Sequence, residues 1–306
     1  MREINNAEET LTFCRAISSP ARLFIVRYLM QNRSANLNEL AEALGVTNGA
    51  VTAHIKALQA AKIIDTVNTS GRRGIQKNCR LREHRFLINL HNEYGADSMY
   101  QTEIPVGSYS RHEAYPTCGL ASVNAVIGEV DDKRYFDDPK RAKAGIVWLS
   151  NGFLEYRVPN YLKEGARAKE IQLSFEIASE APGVCEDWPS DIYFYLNDVP
   201  LGFWTSPGDF GAERGLYTPD WWFPNWNQYG LLKLLTINGE GTYIDGLKVS
   251  DERLLKLNID HESPIVFRIE APADAENKGG LTLFGKGFGN YNQDIHVRVI
   301  FEAPGA

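Results

Sequence analysis

The sequence predicts an α+β chain of two domains, an N-terminal winged helix–turn–helix followed by an all-β sandwich or jelly roll. Three observations predict it. Apolar residues recur at helical spacing through most of the first sixty positions. Beyond about residue 100 those stripes give way to short β-rich runs broken by Gly, Pro, Asn and Asp. Charge divides at the same place: residues 1–99 carry 13 Lys and Arg against 9 Asp and Glu, a net of +4, which leaves −11 on residues 100–306 of the total of −7. A basic head on an acidic body points to a polyanionic partner for the head alone. The expected domains are residues 1–99 and residues 100–306.

In the head, Leu11 and Ile17, then Leu23, Ile25, Val26 and Leu29, mark apolar stripes on two helices. The second is introduced by Ser18-Ser19-Pro20, where serine can cap and proline suits the first turn. LNELAEAL (Leu37 to Leu44) is a short amphipathic helix stopped by Gly45. Thr47 then caps a further helix, so the pair has helix–turn–helix spacing and the second helix should enter the major groove. At about 100° per residue, Val51, Ile55 and Leu58 face the core, while Gly49, Thr52, Ala53 and Lys56 lie opposite. Asn48 stands at the exposed N-terminal end; its amide suits adenine, and Thr52 suits several base edges. IIDTVNTS and IQKNCRL flank Gly71-Arg72-Arg73-Gly74, a hairpin whose arginine tip would meet phosphate or minor groove. Lys77 adds to the same basic strip.

LNELAEALGVTNGAVTAHIKALQAAKII resembles the helix–turn–helix of the ArsR-type winged-helix transcriptional regulators, over roughly residues 5–95. The resemblance implies a homodimer on a double-stranded DNA operator, held by a first helix near 7–17 and a last helix over LREHRFLINLHNEYG (81–95). It implies base reading at Asn48, Gly49, Thr52 and Ala53; Gly49 and Ala53 depart from the polar side chains common there. Metalloid sensing needs thiolates near the helix before the turn, and ANLNELAEAL has none. His84 and His91 share one face of the expected last helix, but Glu83 and Glu93 do not complete a zinc spacing. Cys79, between Lys77 and Arg80, is the one redox-switch candidate. No metal and no cofactor is expected.

In the body, GIVWLS-Asn151-Gly152-FLEYRV, DIYFYL-Asn197-Asp198-VPLGFW and LLKLLTI-Asn238-Gly239-EGTYIDGLKVS read as three hairpins. KEIQLSFEIAS, SPIVFRIEA and QDIHVRVIFEA add alternating strands, and DDKRYFDDPKRAKAG is a polar crossing. Gly280 to Gly287 approaches a phosphate-binding loop but lacks the Ser or Thr after Lys286 and a following helix. Glu155, Glu176, Glu186 and Asp191 lie on or beside strands without a spacing that pairs them for catalysis, and no enzyme is expected. All six tryptophans fall between Trp148 and Trp226. Flat rings beside amides and carboxylates suit a sugar, whose C–H face packs on the ring while its hydroxyls bond laterally. The candidate ligand residues are Trp204, Asp209, Asp220, Trp222, Asn225 and Trp226, with Trp222 or Trp226 facing outward and Trp221 inward. In texture the body resembles galactose-binding-like and carbohydrate-binding modules. The expectation is a regulator whose sandwich senses a carbohydrate; the alternative is a sandwich that docks a protein or extends the dimer. Four scattered cysteines, no apolar run near eighteen residues and the polar start MREINNAEET point to a cytoplasmic protein with no membrane partner.

Overall fold

The computed structural model describes residues 2–4, 6–71, 74–82, 86–88, 98–257 and 259–302. The chain divides into two compact units, Met1–Glu93 and Tyr94–Ala306. In the first, β1 (Arg2–Ile4) precedes α1 (Ala7–Ile17), α2 (Pro20–Asn32), β2 (Ser34–Asn36), α3 (Leu37–Leu44), α4 (Asn48–Ala60), β3 (Ile64–Gly71), β4 (Gly74–Leu81) and β5 (Phe86–Ile88). The helix ends follow their local chemistry. Asn36 and Glu39 close a capping box on α3, Gly45 ends it at φ 67°, and the Thr47 hydroxyl accepts the Ala50 N–H at the start of α4. Val51, Ile55 and Leu58 are buried as the periodicity requires, against Ile25, Leu29, Leu40 and Cys79. Strands β2, β4 and β3 form an antiparallel sheet in that order, and β3–β4 is the wing, closed by the pair Gly71 and Gly74.

Leu11 and Leu23, on the expected apolar stripes, are about half exposed. One expectation for this unit is corrected. Phe86–Ile88, expected within a helix over 81–95, is a strand that pairs in parallel with β1; a polypeptide already hydrogen-bonded to a neighbouring strand has no amides left for a helix there. The rest of 81–95 beyond Arg82, with His84 and His91, lies outside the described residues, as do Arg72 and Arg73.

The second unit is an antiparallel β-sandwich. Its strands are β6 (Met99–Ile104), β7 (Arg111–Ala121), β8 (Ile146–Val158), β9 (Arg167–Ala178), β10 (Ser190–Leu196), β11 (Val199–Ser206), β12 (Leu231–Ile237), β13 (Thr242–Ile244), β14 (Leu247–Ser250), β15 (Ile265–Ala271), β16 (Leu281–Phe284) and β17 (Ile295–Glu302). The hydrogen-bonded order is β11-β10-β15-β8-β16-β9-β12-β13-β14, with β7 on β8 and β17 joining β6 to β9. The Asn197-Asp198 hairpin forms, both residues at positive φ (49° and 62°), as does the pairing of β12 with β13 around Asn238-Gly239.

Asn151-Gly152 is not a turn. β8 runs straight through it, paired with β16 before it and with β15 from Gly152 onward. Gly152 (φ 120°) is needed because a Cβ there would lie 2.0 Å from the Glu113 carbonyl oxygen of β7. The glycine serves a close strand crossing at the point where β8 changes partners.

The main core fills the sandwich interior with Leu154, Tyr156, Phe175, Phe194 and Phe267 among others. A satellite core of Ala121, Ile146, Trp148, Ala178, Trp222, Phe284 and Phe288 gathers under the long loop between β11 and β12. The residues 133–143 form two short 3-10 turns, Lys133–Asp137 and Pro139–Lys143.

Candidate functional site

Two surfaces carry chemistry. On the first unit, Thr47, Asn48, Gly49, Ala53 and Lys56 of α4 are exposed and Thr52 is half-buried, so this face of the recognition helix is free to meet a groove. Asn48 Nδ2 donates to Asn38 Oδ1 at 2.7 Å. That bond fixes which way the amide points and leaves its oxygen and second N–H for a base edge. Thr52 donates its hydroxyl to the Asn48 carbonyl at 2.8 Å, so what it offers outward is its methyl group and an acceptor oxygen. Of the basic residues, Lys56 and Arg80 are exposed and Lys77 is half-buried, while Lys62 pairs with Glu9 at 3.1 Å. Cys79 is fully buried and burial pushes its thiol up, against the smaller opposing pull of Lys77. That is the environment of an inert core cysteine rather than of a redox switch.

On the second unit there is an open cleft of about 120 Å³. β7 supplies Thr117, β8 supplies Trp148, the chain leaving β9 supplies Glu180 to Gly183, and the long loop supplies Trp226 and Asn227. TPDWWFPNWNQYG (218–230) is this loop's second half. It folds as successive turns, with Trp222 N–H bonded to the Pro219 carbonyl and Trp226 N–H to the Phe223 carbonyl. Because the segment is not a strand, side-chain alternation does not apply, and adjacent tryptophans orient independently. Trp222 turns inward, 1% exposed, with its indole N–H on the Asn227 carbonyl at 2.8 Å. Trp226 stands edge-on to it at 4.8 Å and 6.0 Å from Trp148, and it lines the cleft. Trp221 is half-buried, its indole N–H on the Val123 carbonyl at 2.7 Å. Of the two rings expected to face outward, Trp226 lines the cleft and Trp222 is buried, while Trp221, expected inside, is half-buried.

The polar side of the cleft is one network. Glu180 Oε2 accepts from Asn227 Nδ2 and from the Thr282 hydroxyl, both at 2.8 Å, and Oε1 accepts from the Thr117 hydroxyl at 3.1 Å. Asn227 Nδ2 also donates to Thr282 Oγ1 at 2.8 Å. Behind Glu180, Asp209 Oδ2 accepts the Ala181 N–H at 3.0 Å while Oδ1 is buried without a partner. Burial raises both acids, Glu180 well above the carboxylate range and Asp209 to about 7, and the Asp209 charge adds to the rise at Glu180.

Of the sequence-predicted ligand residues, Trp226 alone lines the cleft. Trp222 and Asp209 are buried beneath or behind it. Trp204 lies on β11 with the Lys233 ammonium 4.3 Å from its ring centroid. Asp220 and Asn225 are exposed on the loop, Asp220 3.6 Å from Arg214. Sequence reasoning missed Thr117, Trp148 and Glu180. Trp148 was hidden in the supposed Asn151-Gly152 hairpin, and nothing local marks Thr117 or Glu180. The other acids considered have structural partners: Glu155 pairs with Arg268 at 3.0 Å, Glu176 accepts the N–H groups of Gly230, Asn290 and Tyr291, and Asp191 accepts from Thr205 and Asn277. Among the described residues no group of His, Cys, Asp and Glu is placed to hold a metal ion, and no helix is long and apolar enough to cross a membrane.

The first unit is a winged helix–turn–helix of DNA-binding type, followed by a β-sandwich with an aromatic cleft. A family model described as a helix-turn-helix domain matches residues 17–67. No curated protein matches the chain. Among solved structures, the CBM36-1 domain of a multidomain xylanase from the hindgut metagenome of Trinervitermes trinervoides is similar at 9% identity and TM-score 0.30, over 65% of this chain and 96% of that one. A Paenibacillus cycloisomaltooligosaccharide glucanotransferase complexed with cycloisomaltoheptaose is similar at 9% identity and TM-score 0.27, over 65% of this chain and 19% of that one. The insecticidal delta-endotoxin Cry8Ea1 of Bacillus thuringiensis gives 9% and 0.27, over 78% and 30%. At these values the likenesses decide nothing about a ligand.

Proposed function

We propose that the protein is a cytoplasmic transcriptional regulator of the ArsR winged-helix type that binds a two-half-site DNA operator as a homodimer, and that its sandwich senses a carbohydrate. The observation that carries the sensing reading is the cleft, where the ring of Trp226 and the edge of Trp148 stand beside the Glu180–Asn227 hydrogen-bond network. An aromatic wall next to directional polar groups matches the two faces of a sugar ring. Exposed apolar side chains on α1 and α2 (Leu11, Leu23, Phe24 and Met30) support a second copy at that surface. Occupancy of the cleft would favour one state of the dimer and so alter the affinity of its paired recognition helices for DNA.

Thermal-shift screening of the full chain against mono- and oligosaccharides tests this. Saturable stabilisation is expected in the native protein and its loss in Trp226→Ala, with circular dichroism of the unliganded variant checking that it is folded. No shift with any sugar would favour the docking or dimer-extending role instead. For the head, replacing Arg72 and Arg73 together with alanine is expected to flatten log K against log salt by roughly 0.9 per lost phosphate contact. An unchanged slope would remove the wing tip from the interface.

A further inference from the structure

Among the described residues, the two buried acids of the cleft's polar wall, Glu180 and Asp209, have no basic partner. Glu180 is 8% exposed, and each partner of its carboxylate is neutral: Thr117, Thr282 and Asn227. Asp209 is fully buried behind it with one oxygen unpartnered. No Lys, Arg or His lines the cleft. Elsewhere the same fold handles a buried acid differently: Glu155, 6% exposed, has the guanidinium of Arg268 at 3.0 Å. A buried carboxyl without a counter-charge holds its proton, and it ionises when a cation is brought beside it. The second wall fits the same ligand, because Trp148 and Trp226 line the cleft together with Glu180, and an indole ring attracts a cation.

We propose that the cleft takes a sugar bearing a protonated nitrogen, an amino sugar whose ring lies against Trp226 and whose ammonium group lies at Glu180. This rests on the sugar-sensing reading above and narrows it. A neutral sugar can only exchange hydrogen bonds with the protonated Glu180, whereas an ammonium group lets the carboxyl ionise and forms a charge-assisted pair with it. Burial lifts both Glu180 and Asp209 above their ordinary range, which is the cost that a bound cation relieves.

The test is calorimetric titration of the full chain near neutral pH and at fixed ionic strength with matched sets: glucosamine, glucose and N-acetylglucosamine, and the galactose and mannose equivalents. In at least one set the free amine is expected to bind about tenfold or more tighter than both its neutral relatives. Glu180→Gln should reduce the ratio of amine to neutral-parent affinity to less than about twofold, whatever the change in the parent's own affinity, and Trp226→Ala should weaken amine and parent alike. The native-protein comparison decides by itself should the Glu180 variant not fold. If the neutral or acetylated sugars bind as well as the amines, the inference is wrong and the sugar reading stands. If no sugar of any charge binds, both are wrong.

Discussion

Replacing Trp222 with alanine is expected to destabilise the C-terminal unit by about 3–5 kcal/mol, the range for truncating a large, fully buried aromatic. Trp222 is 1% exposed and meets Trp148, Trp226, Trp221 and Phe288 at ring separations of 5.7, 4.8, 5.5 and 5.1 Å, edge to face in each case. Its indole N–H also holds the Asn227 carbonyl at 2.8 Å, so truncation leaves a cavity and an unpartnered carbonyl together. The satellite core lies under the loop that carries Trp226 and Asn227, and the cleft should fail with it. Urea unfolding followed by far-UV circular dichroism gives the number. Phe223→Ala, at a 51% exposed position on the same loop, is the control and should cost under about 1 kcal/mol. A loss at Trp222 no larger than at Phe223 would mean that the tryptophan cluster is not a core.

The second large effect is a pH dependence set by Asp209. Burial raises its acid to about 7 in the folded protein, from an ordinary 3.8. A carboxyl raised in this way binds its proton more tightly folded than unfolded. Its contribution to stability is therefore complete below about pH 4 and is lost as pH rises through about 7. Three pH units at roughly 1.4 kcal/mol each set an upper bound of about 4 kcal/mol. Asp209→Asn keeps an acceptor for the Ala181 N–H and cannot ionise. It is expected to gain about 2–3 kcal/mol over the native protein near pH 8, after roughly 1 kcal/mol for its unpartnered amide. Near pH 4 it should gain nothing. Glu180, raised in the same direction, leaves a residual slope in the variant. Urea midpoints at the two pH values decide the matter: native and variant curves with the same pH dependence would refute the assignment.

How much of this was legible beforehand differs between the two units for a physical reason. The helix–turn–helix is built from neighbours in sequence. Thr47 caps, Gly45 terminates, and Val51, Ile55 and Leu58 share a face at a fixed angular step, so periodicity alone places them. The exposed Leu11 and Leu23 carry the same apolar signal as core residues, since hydrophobicity does not distinguish a chain's own core from a surface awaiting a partner. The strand at Phe86–Ile88 was illegible because its stabilising partner, Arg2–Ile4, is at the far end of the unit.

In the sandwich, strand alternation was readable, but what glycine does at Asn151-Gly152 was not. The dipeptide that favours a turn also tolerates a close crossing, and only the approach of Glu113 from β7 selects the crossing. The cleft is the extreme case. Thr117, Trp148, Glu180 and Asn227 come from four separate parts of the chain, and no spacing rule links them. Tryptophan density pointed to the loop that lines the cleft without separating Trp226 from Trp222. A sequence of two prolines and three tryptophans does not reveal that the Pro219–Trp222 turn rotates Trp222 inward and leaves Trp226 at the cleft.

The central claim is that occupancy of the cleft alters DNA binding by the winged helix. The direct measurement is the Kd of the full chain for a DNA fragment enriched by selection from a random pool, with and without saturating glucosamine or whichever sugar of the matched sets binds tightest. A change of at least about fivefold is expected, in the range of roughly 1–3 kcal/mol for coupled sites, and it should disappear in Trp226→Ala. An identical Kd with the cleft filled and empty would contradict it.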